Sequence, residues 1–153
     1  MAKPPPKPVT LRPLANSMPM SLLRAREAVM AEFRPMLNEH DLTEQQWRVL
    51  RVLMEHPEIS VTELAREAVI LPPSLSRILR GLTDRGLVRR KAERADQRRS
   101  RVMISAAGKK LFHKVAPSSA SIYARLERRL GKRRLQELNK LLNAIEKDLL
   151  APD

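Results

Sequence analysis

Residues 71–105 read LPPSLSRILRGLTDRGLVRRKAERADQRRSRVMIS, and few folds accept parts in that order. Pro72 and Pro73 suit the first turn of a helix, where a missing N–H costs nothing. Leu75, Ile78, Leu79 and Leu82 then recur at i, i+3, i+4 and i+7, which makes one apolar helix face. Ser74, Ser76, Arg77, Arg80 and Asp84 fall on the opposite face. Gly86 marks an inexpensive left-handed stop, followed at once by Leu87 and Val88. Residues 87–91 predict a strand, 92–100 a polar loop and 101–104 a second strand. A short helix followed by a charged β-hairpin is a helix with a wing.

Charge states what such a unit meets. Residues 77–101 hold ten Lys or Arg against three Asp or Glu, so +7 of the chain's formal +13 sits in that stretch. A charge run can be simply a solvated face. On a helix–wing unit it also fits a helix in the major groove with a loop over phosphates or the minor groove, and that second reading is preferred here.

Other classes are excluded by what the 153 residues lack. Four aromatic residues are too few for a base-stacking platform for single strands. A membrane surface is the rival polyanion, but no apolar run approaches the ~18 residues of a span, and the proline-rich start has no signal-peptide core. Absence of cysteine fits a reducing cytoplasm. His40, His56 and His113 are scattered without ligand spacing, so neither a metal nor another cofactor is expected. No GxSxG, HExxH, P-loop or Rossmann fingerprint occurs, and four glycines could not build the glycine-rich ones, so no enzyme is expected.

Residues 1–19, with six of the twelve prolines, predict a flexible, basic, Pro-rich tail or an arm that touches DNA or a partner subunit. Helix 1 is expected from about 20 to 38, with Leu23, Met30, Phe33 and Leu37 on one stripe and Arg26 among them. Thr43 with Gln46 forms a capping box, and Leu42 with Trp47 a hydrophobic staple, at the start of a second helix that ends before Pro57. Ser60 with Glu63 repeats the box, and Ile59 with Leu64 the staple, for a helix over 61–68. The helices over 61–68 and from 72 onward pair as a helix-turn-helix. After the wing, Ser105 caps a long helix through Leu111, Val115, Ile122, Leu126 and Leu130, with Pro117 inside and Gly131 at its end. A last helix carries Leu135, Leu138, Leu142, Ile145 and Leu149. An apolar stripe that outruns its own domain wants another chain. The fold class is therefore mainly α with a small β-wing: a winged helix-turn-helix over 41–104, with dimerisation helices over 20–39 and 105–150.

Asp96-Gln97-Arg98-Arg99, leading to Val102-Met103-Ile104-Ser105-Ala106-Ala107-Gly108, resembles the wing signature of MarR-type winged helix-turn-helix repressors. That family shows an Asp, an Arg two residues later, and a strand ending in Leu-Thr-x-x-Gly; here Ile104-Ser105 stands for Leu-Thr. Upstream, Ala25-Arg26-Glu27-Ala28, Phe33-Arg34-Pro35 and residues 42–48 are similar to the branch that represses homoprotocatechuate degradation. The resemblance covers roughly residues 20–150. It implies a homodimer whose first and last helices interlock on an imperfectly palindromic double-stranded operator. With no cysteine, the thiol-oxidation switch of some relatives is excluded.

On this reading Ser74, Ser76, Arg77 and Arg80 face the bases, where serine donates or accepts and arginine grips guanine O6 and N7; for the two serines, simple helix capping is the alternative. Arg98 fits a narrow minor groove, and Asp96, being anionic, braces Arg98 instead of touching DNA. Arg94 and Arg99, with Arg89, Arg90, Lys91 and Arg101, meet phosphates or raise the local potential. Arg26, on an apolar stripe, needs an anionic partner. That partner is either a nearby Glu or Asp or the carboxylate of a small aromatic acid, with Met30, Phe33 and Trp47 around its ring and Ser21 as a further hydrogen-bond partner. The resemblance supports the acid. The expected function is a cytoplasmic repressor of an aromatic-catabolic or related operon; the rival is an architectural, sequence-blind DNA-binding protein.

Overall fold

A computed structural model describes residues 13–91 and 100–151. The chain forms two compact units, with the boundary between Phe33 and Arg34.

The first unit holds a 3-10 turn, Leu14–Asn16, and most of helix α1, Met18–Asn38. Helix α1 starts two residues earlier than the periodicity predicts, and the turn and first helical residues fall inside the stretch expected to be a tail. Residues 1–12 of that tail lie outside the described residues. The expected stripe is only partly buried: Phe33 is covered, while Leu22, Leu23 and Val29 are exposed.

In the second unit, α2 (Glu44–Glu55) begins at the expected capping box. Thr43 Oγ1 accepts from the Gln46 N–H, and Gln46 Oε1 accepts from the Thr43 N–H. The same reciprocal pair between Ser60 and Glu63 starts α3, Val61–Glu67. Each box satisfies backbone donors that a helix start leaves unpaired. Both staples are buried, Leu42 with Trp47 and Ile59 with Leu64.

Helix α4 spans Pro72–Asp84 and stops at Gly86, which takes φ 67° as the glycine position predicts. Strands β2 (Val88–Lys91) and β3 (Arg101–Ile104) form the wing, antiparallel, with Val88 opposite Ile104. The sequence reading misses a third strand. Ile59–Ser60, β1, pairs antiparallel with β3, giving the order β1-β3-β2. Two residues are too few to show a period of two, so only the pairing reveals it.

Helix α2 packs against α3, α4, α5 and β3. Leu50 and Leu53 from α2, Leu64 from α3, Leu75, Leu79 and Leu82 from α4, Val88 and Val102 from the wing and Val115 from α5 are fully buried. Helix α5 (Ala106–Leu130) runs through Pro117, and α6 (Lys132–Leu150) follows after Gly131. No residue of α6 is buried.

Candidate nucleic-acid interface

Helices α3 and α4 are joined by a tight turn, and the turn explains how α4 is presented. Ala68 caps α3, and Val69 follows at φ 50°, a left-handed conformation that a β-branched residue adopts at a cost. Arg48, reaching up from α2, donates through one guanidinium nitrogen to the Ala68 and Val69 carbonyl oxygens at 2.9 and 3.2 Å. Two carbonyls with no helical partner are satisfied, and the strained turn is pinned to the core.

The far end of α4 is pinned as well. Arg85, its C-cap residue, donates to the Asp41 carbonyl at 2.6 Å and to the His40 carbonyl at 3.3 Å. Leu87 and Val88 are buried. Ser105 ties the wing root to both neighbours. Its hydroxyl donates to the Gly86 carbonyl at 2.6 Å and accepts from the Gly108 N–H at 2.9 Å, while its own N–H donates to the Leu87 carbonyl at 3.0 Å. Gly108 completes the joint, because a Cβ there would overlap the Leu87 carbonyl oxygen and stand 2.7 Å from Ile104 Cγ1. The Ser-x-x-Gly spacing singled out in the sequence is thus a helix cap and a close backbone crossing.

Between the two pins, α4 buries Leu75, Leu79 and Leu82 and exposes Ser76, Arg77, Arg80 and Asp84, with Ser74 half-buried. Four of the five residues expected opposite the apolar side are therefore exposed, and Ser74 is not. Pro72 and Pro73 stand at the helix start, so its first two positions have no N–H to offer a phosphate. Ser74 is the first helical residue that has a backbone N–H to offer there. Leu71 caps the helix without a side-chain bond.

Arg89, Arg90 and Lys91 are exposed along β2, and Arg90 donates to the Ser100 hydroxyl at 3.4 Å. Arg101 lies 4.0 Å from the Glu58 carboxylate. Glu63 has its carboxyl held below the usual carboxylate range, first by the side-chain bond from Ser60, then by the Ser60 N–H, with Arg101 and Arg66 adding to the effect. Arg94, Asp96, Arg98 and Arg99 lie outside the described residues.

The proposed effector residues are placed as follows. Ser21 and Arg26 are exposed on α1, Met30 is half-buried and Phe33 buried. Arg26 departs from the expectation drawn from its stripe: it is 47% exposed, not buried, and lies 2.7 Å from the Glu27 carboxylate. Spacing alone put it among apolar residues, but Leu22 and Leu23 beside it are exposed too. Trp47 is buried and stacks on Phe112 of α5, with centroids 5.1 Å apart and planes at 20°. The sequence reading missed Arg48, Arg85 and Phe112, whose partners lie 21, 45 and 65 residues away at most.

Among the described residues no group of His, Cys, Asp and Glu is arranged to hold a metal, and no helix is long and apolar enough to cross a membrane.

Known proteins are similar to this chain in sequence and fold. The sequence profile of the MarR family matches residues 40–99. The HTH-type transcriptional regulator FarR of Neisseria gonorrhoeae is 38% identical over 86% of this chain and 90% of its own length. The homoprotocatechuate degradative operon repressor of Escherichia coli is 38% identical over 83% of this chain and 86% of its own. Among solved structures, NadR in complex with 4-hydroxyphenylacetate superposes with TM-score 0.75 at 37% identity, covering 92% of this chain and 99% of its own. The repressor CouR bound to a 23-mer DNA duplex superposes with TM-score 0.78 at 26% identity, over 92% and 99%.

Proposed function

This chain belongs to the MarR family of winged-helix DNA-binding transcriptional regulators, which are not enzymes, and from that premise we propose a homodimeric repressor of an aromatic-catabolic or related operon, released from its operator by a small aromatic acid. The observation that carries the DNA half is the outward face of α4, where Ser76, Arg77 and Arg80 stand on a helix pinned at both ends by Arg48 and Arg85. A guanidinium fork on a rigid helix is suited to guanine edges. CouR, bound to duplex DNA, supports the reading. Work on chromosomal DNA would place the protein in the cytoplasm.

Support for the dimer comes from α6, which leaves Leu138, Leu141, Ile145 and Leu149 exposed, Leu149 at 74%. So long an apolar row wants a partner surface. Two chains related by a two-fold axis then read an imperfect palindrome with half-sites about one helical turn apart.

Support for the effector comes from NadR with its bound 4-hydroxyphenylacetate and from the name of the homoprotocatechuate repressor. We assign the ligand's carboxylate to Arg26, which would exchange Glu27 for it. One anion replaces another, so the guanidinium keeps a charge-assisted partner. Met30 and Phe33 follow Arg26 at i+4 and i+7 and would lie along the ring, with Ser21 as a further hydrogen-bond partner. Release requires that the acid prefer the DNA-incompetent spacing of the two recognition helices, since equal affinity shifts nothing.

The test is footprinting on the DNA upstream of the protein's own gene, with and without 4-hydroxyphenylacetate and other aromatic acids. A protected palindrome that opens with the acid is the expected result, with a log–log salt slope of about −5 or steeper. Random duplex that competes as well as the operator would restore the architectural reading. Arg26→Ala should keep DNA binding and lose the response; unchanged acid affinity by calorimetry would make Arg26 structural.

A further inference from the structure

The chain's positive charge is gathered in two places, and the DNA-binding unit uses one of them. Residues 77–101 carry +7. Residues 125–134, ARLERRLGKRR without its first letter, hold six Lys or Arg against one Glu, a further +5. Together they leave +1 for all the rest of the chain. The second cluster spans the end of α5 and the start of α6, and each of its charged residues is exposed.

Helix energetics account for only part of it. Arg128 and Arg129 fall in the last turn of α5, where cations suit the helix dipole. Lys132, Arg133 and Arg134 open α6, where the dipole favours acids, the first turn has none, and Gly131 gives no side-chain cap. Arg133 has an ion pair with Glu137 at 3.1 Å. Arg133 thus has an internal anion, whereas Lys132 and Arg134 stand against the dipole close to Arg128, an arrangement that an external anion would relieve.

This cluster is electrically separate from the wing. Ser105 fixes the start of α5 to the wing root. Arg128 stands 22 residues beyond Ala106 on that helix, about 33 Å along it at 1.5 Å per residue. Screening at physiological salt acts over about 8 Å. The cluster therefore adds little to the field at α4.

We propose that the α5–α6 shoulder binds the phosphate backbone of a second DNA duplex, so that the protein bridges two segments. Five of the six cations are arginines, whose planar forks match phosphate oxygens. A membrane surface fits less well, because residues 125–134 contain no aromatic residue and Leu126 and Leu130 are their only large apolar members, Leu126 being buried. With no aromatic platform in the stretch, single strands are disfavoured as well. The bridge rests on the DNA-binding reading above for its first duplex and on the shoulder alone for its second.

The test uses the full chain saturated with bead-bound operator duplex, to which a fluorescent random duplex is added at low salt. Wild type should retain the second duplex, and retention should fall steeply as salt rises. The triple variant R128Q/K132Q/R134Q, in which Gln keeps helix propensity, should hold the operator within about twofold of wild type. It should lose roughly tenfold or more of second-duplex capture, as expected for three lost phosphate contacts. Light scattering and circular dichroism check that the variant keeps its mass and helicity; if it does not, the single changes R128Q and R134Q are measured the same way. Undiminished capture by the variants overturns the proposal. So does a wild type that captures no second duplex, including one that instead sediments with phosphatidylserine-containing vesicles or binds an acidic polypeptide. Failure to prefer operator over random duplex in the first step would count against the repressor reading, and is separately visible.

Discussion

Gly108 passes so close to Leu87 that a Cβ on the glycine would overlap the Leu87 carbonyl oxygen. That oxygen also accepts the Ser105 N–H, so it cannot move aside without breaking the joint between wing and α5. Gly108→Ala should therefore destabilise the fold by about 1–3 kcal/mol, the range for overpacking a tight site. Urea unfolding would show it as a lower midpoint with an unchanged slope. An unaltered midpoint would mean that the backbones separate freely there.

Arg85 touches the His40 and Asp41 carbonyls and lies outside the set of residues assigned to bases. Arg85→Ala should weaken operator binding without changing which bases are preferred, because it loosens the end of α4 and not its reading face. The loss should be about 0.5–1.5 kcal/mol, that of a typical hydrogen bond. Arg85→Lys, able to satisfy one carbonyl, should recover part of it. A change in base preference, measured by selection from a random pool, would instead make Arg85 a reading residue.

Asp96 and Arg98 give a prediction of sign. Arg98→Ala should cost about 1–3 kcal/mol of operator affinity, the range for one good base contact. Asp96→Asn removes a negative charge near DNA, yet should weaken binding as well if Asp96 braces Arg98. Tighter binding by Asp96→Asn would show that the aspartate only repels the duplex.

Exposed leucines on α6 should govern assembly. Leu138→Asp, or truncation after Gly131, should give monomers or aggregates by light scattering and lose operator affinity, since each half-site is then bound alone. A soluble monomer at micromolar concentration that still binds the palindrome specifically would contradict the two-fold arrangement.

Local chemistry was legible from the residues, and distant reach was not. Thr43 with Gln46 and Ser60 with Glu63 announce helix starts three residues apart, and the bonds are found as read. The exposed face of α4 follows from the spacing of Leu75, Leu79 and Leu82. Arg48 and Arg85 gave no such signal, because a long side chain can reach a carbonyl that only the tertiary fold brings near. Arg26 shows the opposite error. Periodicity placed it on an apolar stripe, but a stripe is a spacing and burial needs neighbours, and in the single chain Glu27 is beside it at the surface. The strand at Ile59–Ser60 needed β3 to exist at all.

Trp47 is the chain's one tryptophan, and it stacks on Phe112 across the contact between α2 and α5. All tryptophan emission from the protein therefore originates at a single buried indole, between the helix that supports α3 and α4 and the helix that leads to α6. Any change in the spacing of α2 and α5 alters the polarity and quenching around that ring. The molecule thus carries its own optical report on how α2 packs against α5, readable in solution without a label.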